Sequence, residues 1–415
     1  MKMILGAWLL AIVSLQAKTE IQAFGEMPSD VRDQLGDTVG GIGSGLVYDA
    51  KSDTFFCIAD RGPGDGTLPY RPRYVKVRIK QDGKKLTPEI VESVLFRDAE
   101  GREMTGLIPN DRQADTPRMK DGRTCLDPEA IALAPDGTLY VTDEYGPYLY
   151  QFQQDGKFIR RIMLPEAFRP KNDSGKLDFT PDSPIIFGRN INQGPEGLSL
   201  LPDGKTAVLA FQSGLMQQGG RQSPVTNLLF IDLATEKPVA QYLYPFATQI
   251  PDGDRELKVE RLSVNDILTL DDKRFLVLER DGAGRDGREE PSLARYKAVW
   301  LIDISNATNV LESTPEDAKS VEKQLVFNLP ALVPDAKTLS AKWEGIALTA
   351  PPQGREIELM MTADNDFLSP IIHHDGQEYP FPRAQDAVPG QFFKIKAELP
   401  ENSGAQPAAL PKSKQ

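Results

Sequence analysis

Residues 129–144 read Glu-Ala-Ile-Ala-Leu-Ala-Pro-Asp-Gly-Thr-Leu-Tyr-Val-Thr-Asp-Glu. Apolar residues alternate from Glu129 through Ile131 and Leu133 to the turn Pro135-Asp136-Gly137, and again through Leu139 and Val141 to Asp143-Glu144. A period of two, broken by a Pro-Asp-Gly turn, predicts an antiparallel hairpin. The pattern recurs along the chain. Glu196, Leu198 and Leu200 lead through Pro202-Asp203-Gly204 to Gln212-Ser213. Asn265-Asp266-Ile267 lead through Asp271-Asp272 to Glu279-Arg280, and Glu344-Gly345-Ile346 through Pro352-Gln353-Gly354 to Asp364-Asn365. A weaker copy runs from Ser44-Gly45-Leu46 to Asp60-Arg61. Positions 44, 129, 196, 265 and 344 correspond, at spacings of 85, 67, 69 and 79 residues.

Two more strand-like runs follow each copy except the last, which has only Phe392–Ala397. The run Glu20–Gly25, ahead of the first copy, supplies the missing strand. Repeated four-stranded units whose last member is completed from the other end of the chain predict an all-β fold, a single β-propeller of five four-stranded blades. A sixth blade hidden in the irregular stretches is the alternative. Two sandwich domains do not explain the shared pattern.

Composition narrows the function. The chain has 415 residues, 48 Lys+Arg against 60 Asp+Glu, and a net charge of −12. Nucleic acid and anionic membranes select basic faces, so neither is an expected partner. With 2 His and 2 Cys, multi-histidine metal sites and disulfide-dense scaffolds are excluded. Cys57 and Cys125 could pair or stay independent. Lys2, the apolar run Met3–Val13 and the small residues to Ala17 lay out a signal peptide over residues 1–17. The expected product is periplasmic or secreted and monomeric, with a propeller over residues 18–398 and a loose tail over 399–415.

Turns between the first and second strands of each unit are short. The long segments, such as 98–126, 166–194 and 246–262, fall on the opposite face of the disc, where function concentrates. First strands start on that face and second strands end there, beside the channel. The side chains expected at the channel mouth are Asp60, Arg61, Glu129, Asp143, Glu144, Glu196, Asn265, Asp266, Glu279, Arg280, Glu344 and Asp364. Crowded carboxylates repel one another unless protonated or bridged by a cation. Hard oxygen donors favour Ca²⁺, with Mg²⁺ the second choice. The metal candidates are Asp60, Glu129, Asp143, Glu144, Glu196, Asp266, Glu279, Glu344 and Asp364. A structural ring of the same acids, paired with Arg61 and Arg280, is the rival reading.

The runs Asp127-Pro128-Glu129-Ala130-Ile131, Gly194-Pro195-Glu196-Gly197-Leu198, Glu279-Arg280-Asp281 and Trp343-Glu344-Gly345-Ile346 resemble the esterase-like, phytase-like domain of exported bacterial proteins. The resemblance spans residues 36–398. It implies a propeller fold and hydrolysis of phosphoric esters, and its matching positions are Glu129, Glu196, Glu279, Arg280 and Glu344. In that chemistry a bound Ca²⁺ offsets phosphate charge, Glu129 or Glu196 acts as base, and Arg61 and Arg280 hold phosphate oxygens. Trp343, beside Glu344, is the expected aromatic substrate contact. A calcium-dependent lactonase or esterase, or a non-catalytic propeller that binds a peptide, glycan or protein, is the alternative.

Other motifs carry less. Gly282-Ala283-Gly284-Arg285-Asp286-Gly287 fits G-x-G-x-x-G but lacks a following helix, so it reads as a surface loop. His373-His374 read as loop residues. No G-x-S-x-G elbow is present.

Overall fold

The computed structural model describes residues 19–111, 114–180, 184–251, 255–381 and 387–401. The signal peptide expected at 1–17, and the tail from 402 onward, lie outside the described residues.

Strand β1 (Glu20–Met27) opens the chain. The first four-stranded unit is β2 (Gly45–Asp49), β3 (Thr54–Ile58), β4 (Arg73–Asp82) and β5 (Lys85–Leu95), and a single parallel bridge from Lys85 to Phe24 of β1 joins it to the last unit in one eight-stranded sheet. The second holds β6 (Pro128–Leu133), β7 (Leu139–Asp143), β8 (Tyr148–Phe152) and β9 (Phe158–Met163). A short ribbon, β10 (Lys171–Asn172) and β11 (Ile185–Phe187), follows. The third sheet holds β12 (Pro195–Leu200), β13 (Thr206–Phe211), β14 (Val225–Asp232) and β15 (Lys237–Pro245). The fourth holds β16 (Leu262–Thr269), β17 (Arg274–Asp281), β18 (Lys297–Asp303) and β19 (Glu322–Asn328). Then come β20 (Lys342–Leu348) and β21 (Glu356–Asp364), a second ribbon of β22 (Ile371–His374) and β23 (Gln377–Pro380), and β24 (Gly390–Glu398). β24 pairs with both β21 and β1, so the N-terminal strand completes the last sheet.

The turns form as their chemistry dictates. Gly137 takes φ 87° and Gly204 takes φ 67°, values open to glycine without a Cβ penalty. The Asp136 carboxylate accepts the Thr138 amide at 2.9 Å, and the Asp203 carboxylate accepts the Lys205 amide at 2.8 Å. Both hairpins are thereby fixed in register.

Core residues lie between adjacent sheets. Phe56 and Tyr74 of the first sheet meet Val141 and Phe152 of the second. Ala132 meets Leu198 and Leu209; Val208 and Phe230 meet Ile267 and Phe275; Leu276 meets Ile346 and Met361. Leu46 and Val75 then meet Ala347 and Met360, which returns the ring to its start. The inner strands β2, β6, β12, β16 and β20 touch in that cyclic order. This closure of four-stranded sheets is a β-propeller. The first and last units approach closely: a Cβ on Gly43 would lie 2.2 Å from the Asp364 nitrogen.

The sequence reading missed both short ribbons, which sit inside long loops. His373 and His374 belong to β22 rather than to an irregular loop, and the His373 ring meets the Arg32 guanidinium. Cys57 and Cys125 are both buried and unpaired.

The segment between β1 and β2 is pinned to the first sheet by fully buried Arg73, which donates to Asp33 and Asp37 at 2.6 Å each. Arg71 donates to Asp37 at 2.8 Å. Burial raises the Asp37 pKa, but hydrogen bonds from His374, Arg71 and Arg73 outweigh it and hold the carboxyl well below its usual range. A depressed carboxyl contributes stability that is present above its unfolded pKa of about 4 and is lost as pH falls towards the folded value. Acid unfolding of Asp37→Asn should therefore be less steep than wild type between about pH 5 and pH 2. Equal slopes in circular dichroism titrations would refute this.

Candidate functional site

A local irregularity aims the inner-strand acids at the axis. Each of β6, β12, β16 and β20 breaks register with its partner near its start. Pro195 pairs with Phe211 and Gly197 with Ala210, so Glu196 is the bulged residue. By the same register Asn265 and Glu344 are bulged, and the break in β6 spans Glu129. A bulge adds one residue to a strand and re-aims its side chain. The bulges thus fall at the repeat positions 129, 196, 265 and 344.

The acids delivered this way line a cavity of about 900 Å³. Its floor is built by Asp60, Arg61, Glu129, Glu144, Glu196, Arg280, Lys342 and Glu344, joined by Asn192 and Ser263. The guanidinium of Arg61 pairs with the Asp127 carboxylate, meets Asn192 and lies over the Tyr145 ring. Arg280 pairs with Glu344. Glu144 accepts the Gly194 amide at 2.6 Å and stands 3.8 Å from Arg61. Neither the Glu129 nor the Glu196 carboxyl has a hydrogen-bond partner among the described residues.

The electrostatics follow from crowding without water. Burial pushes Glu129 well above the usual carboxylate range, and the charges of Glu196, Asp127 and Glu144 push it further. Glu196 is raised by burial, then by Glu144 and Glu344, while Arg280 and Lys342 pull it back. Burial, with the Asp127 charge behind it, lifts Glu144 to about 7. Burial lifts Asp60 to about 7 against the pull of Lys342.

Two acid groups come close enough to share one ion. One oxygen each of Asp127, Glu129 and Glu144 lies within 4.8 Å of the others, as does one each of Asp60, Asp364 and Asp366. In the second group the Lys342 ammonium already pairs with Asp366. In the first, Arg61 offsets part of the charge and Glu129 keeps an uncommitted carboxyl. Hard oxygen donors with no sulfur or imidazole fit a hard divalent cation.

Several expected site residues do other work. Asp143 accepts the amides of Asp127, Tyr145 and Gly146 and caps the turn beyond β7. Asp266 accepts the amides of Ile267 and Ile346 and staples β16 to β20. Glu279 is fully buried, accepts Tyr244 and the Ala247 amide, and pairs with Lys323 at 2.7 Å. Trp343, expected against substrate, is fully buried beside Phe393 and does not line the cavity. Asp364 does not line the cavity, but it stands with Asp60 and Asp366 in the second acid group. Asp127, Asn192, Lys342 and Asp366 were absent from the expected site. Asp127 sits within the quoted Asp-Pro-Glu run, which was its available signal; Asn192 comes from a long loop with none.

A family model described as "Phytase-like: Esterase-like activity of phytase" matches residues 37–367. A protein of Arthroderma benhamiae described as "Uncharacterized secreted protein" is 28% identical over 83% of this chain and 86% of its own length. Among solved structures, a chain of "Crystal structure of Nidogen/Laminin Complex" matches 89% of this chain and 93% of its own at 9% identity and TM-score 0.32. "Structure of Dos1 propeller" matches 89% and 73%, at 9% identity and TM-score 0.31. Likeness at that level carries no weight here, and the fold rests on the closed ring of sheets.

Proposed function

The chain belongs to the phytase-like family, and from that premise we propose that it is an exported ester hydrolase that cleaves phosphoric esters in the channel-mouth cavity with a bound divalent cation. The secreted relative supports export. Among the described residues no helix is long and apolar enough to cross a membrane. The observation that carries the reading is one cavity in which two uncommitted buried carboxyls, Glu129 and Glu196, face two guanidiniums, Arg61 and Arg280.

Asp127, Glu129 and Glu144 would hold the cation. Bound there, Ca²⁺ supplies the positive charge that a phosphate needs beside so many acids. The protein's own groups do the rest. Arg61 and Arg280, each already oriented by a carboxylate, hold the non-bridging oxygens. Glu196 lies outside the three-acid group and serves as general base. A carboxyl whose pKa is raised, as burial raises that of Glu196, is a stronger base towards water than an ordinary one. The water oxygen bonds to phosphorus, the bond to the leaving oxygen breaks, and that oxygen takes a proton. A carboxylic ester or lactone is the second reading, favoured by the excess of acids on the floor, which do not repel a neutral substrate.

Removal of the metal tests this. A ligand at 100 times its Kd stabilises a fold by about 2.7 kcal/mol. EDTA-treated protein should melt earlier and hydrolyse 4-nitrophenyl phosphate more slowly, and added Ca²⁺ should restore both. In Glu129→Gln the Ca²⁺-induced rise in melting midpoint should shrink or vanish. A midpoint and rate indifferent to EDTA and Ca²⁺ would sink the metal-dependent reading.

A further inference from the structure

A separate cavity of about 330 Å³ lies at the outer strand of the second sheet. Its walls are β9, through Phe158, Ile159 and Arg161, and the connection from β5 to β6, through Met104, Arg118 and Thr124. None of its lining residues lines the channel-mouth cavity. Tyr150 of β8 also faces it. That side chain is 1% exposed, and its hydroxyl is buried with no hydrogen-bond partner among the described residues. The polar group beside it is Arg161, which carries donors only. Burial pushes the phenol above its usual range, so it stays protonated and its own proton lacks an acceptor. The ring cannot swing away to find one. It stacks on Phe152 and meets Tyr148 and Phe158 edge-on.

The acids of this wall are already answered. Asp98 accepts the Glu100 and Arg102 amides and pairs with the Arg102 guanidinium at 2.8 Å. Glu100 pairs with the same guanidinium at 2.9 Å. Arg160 is committed to Gln151, Glu236 and Tyr140. Two guanidiniums keep open donors. Arg118 gives only its Nε, to Thr116 at 3.0 Å, and Arg161 lies over the Tyr148 ring, 4.5 Å from its centroid. The cavity thus gathers a buried hydroxyl proton and two guanidiniums, with no uncommitted carboxylate to receive them. A buried donor left unanswered destabilises the fold. A group that only accepts, and carries negative charge, satisfies all three. Met104, Phe158 and Ile159 supply an apolar surface beside them, and the volume is at the small end of ligand cavities.

We propose that this cavity is a second binding site, for a small organic oxyanion whose charged end meets Tyr150, Arg118 and Arg161 and whose apolar body rests on Met104, Phe158 and Ile159. A carboxylate and a phosphoryl group share that chemistry. The site stands apart from the channel and does not depend on the hydrolase reading.

Calorimetry on EDTA-treated protein tests this, because phosphoryl binding that needs a cation in the channel is then absent. The probes are benzoate, phenylphosphonate and the neutral benzyl alcohol. At least one oxyanion should bind wild type about tenfold or more tighter than benzyl alcohol, since hydrogen bonds to a charged group outweigh neutral ones. Whichever of the two binds tighter tells carboxylate from phosphoryl. Tyr150→Phe should weaken that oxyanion about tenfold, and Arg118→Met should weaken it as well. Without ligand, Tyr150→Phe should melt at or above the wild-type midpoint, because its hydroxyl has no partner to lose. Arg161 also stacks on Tyr148, so the two other variants carry the test. Oxyanions that bind no tighter than benzyl alcohol would mean that water alone answers the hydroxyl, and the proposal fails. It fails equally if Tyr150→Phe and Arg118→Met both keep wild-type affinity, which would place the bound oxyanion elsewhere.

Discussion

Glu196→Gln is expected to lower kcat/KM for 4-nitrophenyl phosphate about 100-fold or more while the protein folds at least as well as wild type. General acid–base groups contribute about 10²–10⁴ to rate, and a glutamine can neither take nor give the proton. The stability half of the expectation follows from the site. Glu196 is 3% exposed and is pushed up by burial and by the charges of Glu144 and Glu344. A neutral isostere removes repulsion and breaks no hydrogen bond among the described residues. Activity loss with an unchanged or higher melting midpoint is the signature of a site kept at a cost to the fold. Retention of activity within about threefold would remove Glu196 from the chemistry, because even a modest base contributes more than that.

Glu279→Leu should show the reverse. Its carboxylate takes the Tyr244 hydroxyl at 2.6 Å, the Ala247 amide at 2.8 Å and Lys323 at 2.7 Å. It thus ties the third sheet to the fourth. Lys323 lies over the Trp300 and Tyr244 rings, 4.3 and 4.5 Å from their centroids. Removing one partner of a buried pair strands the other charge, at about 3–5 kcal/mol. Denaturant unfolding should move by that amount. Activity per folded molecule, and the Ca²⁺ concentration giving half of it, should stay near wild type. A tenfold shift in that Ca²⁺ requirement without a stability change would instead make Glu279 a ligand.

The contrast between Glu196 and Glu279 shows how much was legible beforehand. The hairpin alternation and the Pro-Asp-Gly turns gave the repeated units, and the shortfall after Phe392–Ala397 pointed to β1 as the closing strand. Those are local patterns repeated many times. Side-chain direction at the strand ends is another matter. Neighbouring strand residues face opposite ways, so a charged pair at a strand end can divide, although Asp60 and Arg61 both line the cavity. Glu144 lines the cavity while Asp143 caps a turn, and Arg280 lines it while Glu279 faces the next sheet. Glu344 lines it while Trp343 packs into the core. Choosing between the two requires the register of each strand with its partner, including the bulges near the starts of β6, β12, β16 and β20. Asn192 was out of reach for a further reason. It comes from a long loop without periodicity, and only the closed ring brings it to the channel mouth.

The pairing of β1 with β24 reaches from Glu20 to Lys396. Until the final strand has been synthesised, the opening strand has no antiparallel neighbour and the last sheet stays unfinished. A chain threaded through a membrane pore from its front end therefore cannot lock prematurely: the clasp fastens only after its tail side has come through. If the chain is exported as proposed, this topology ties completion of the ring to the passage of its last strand.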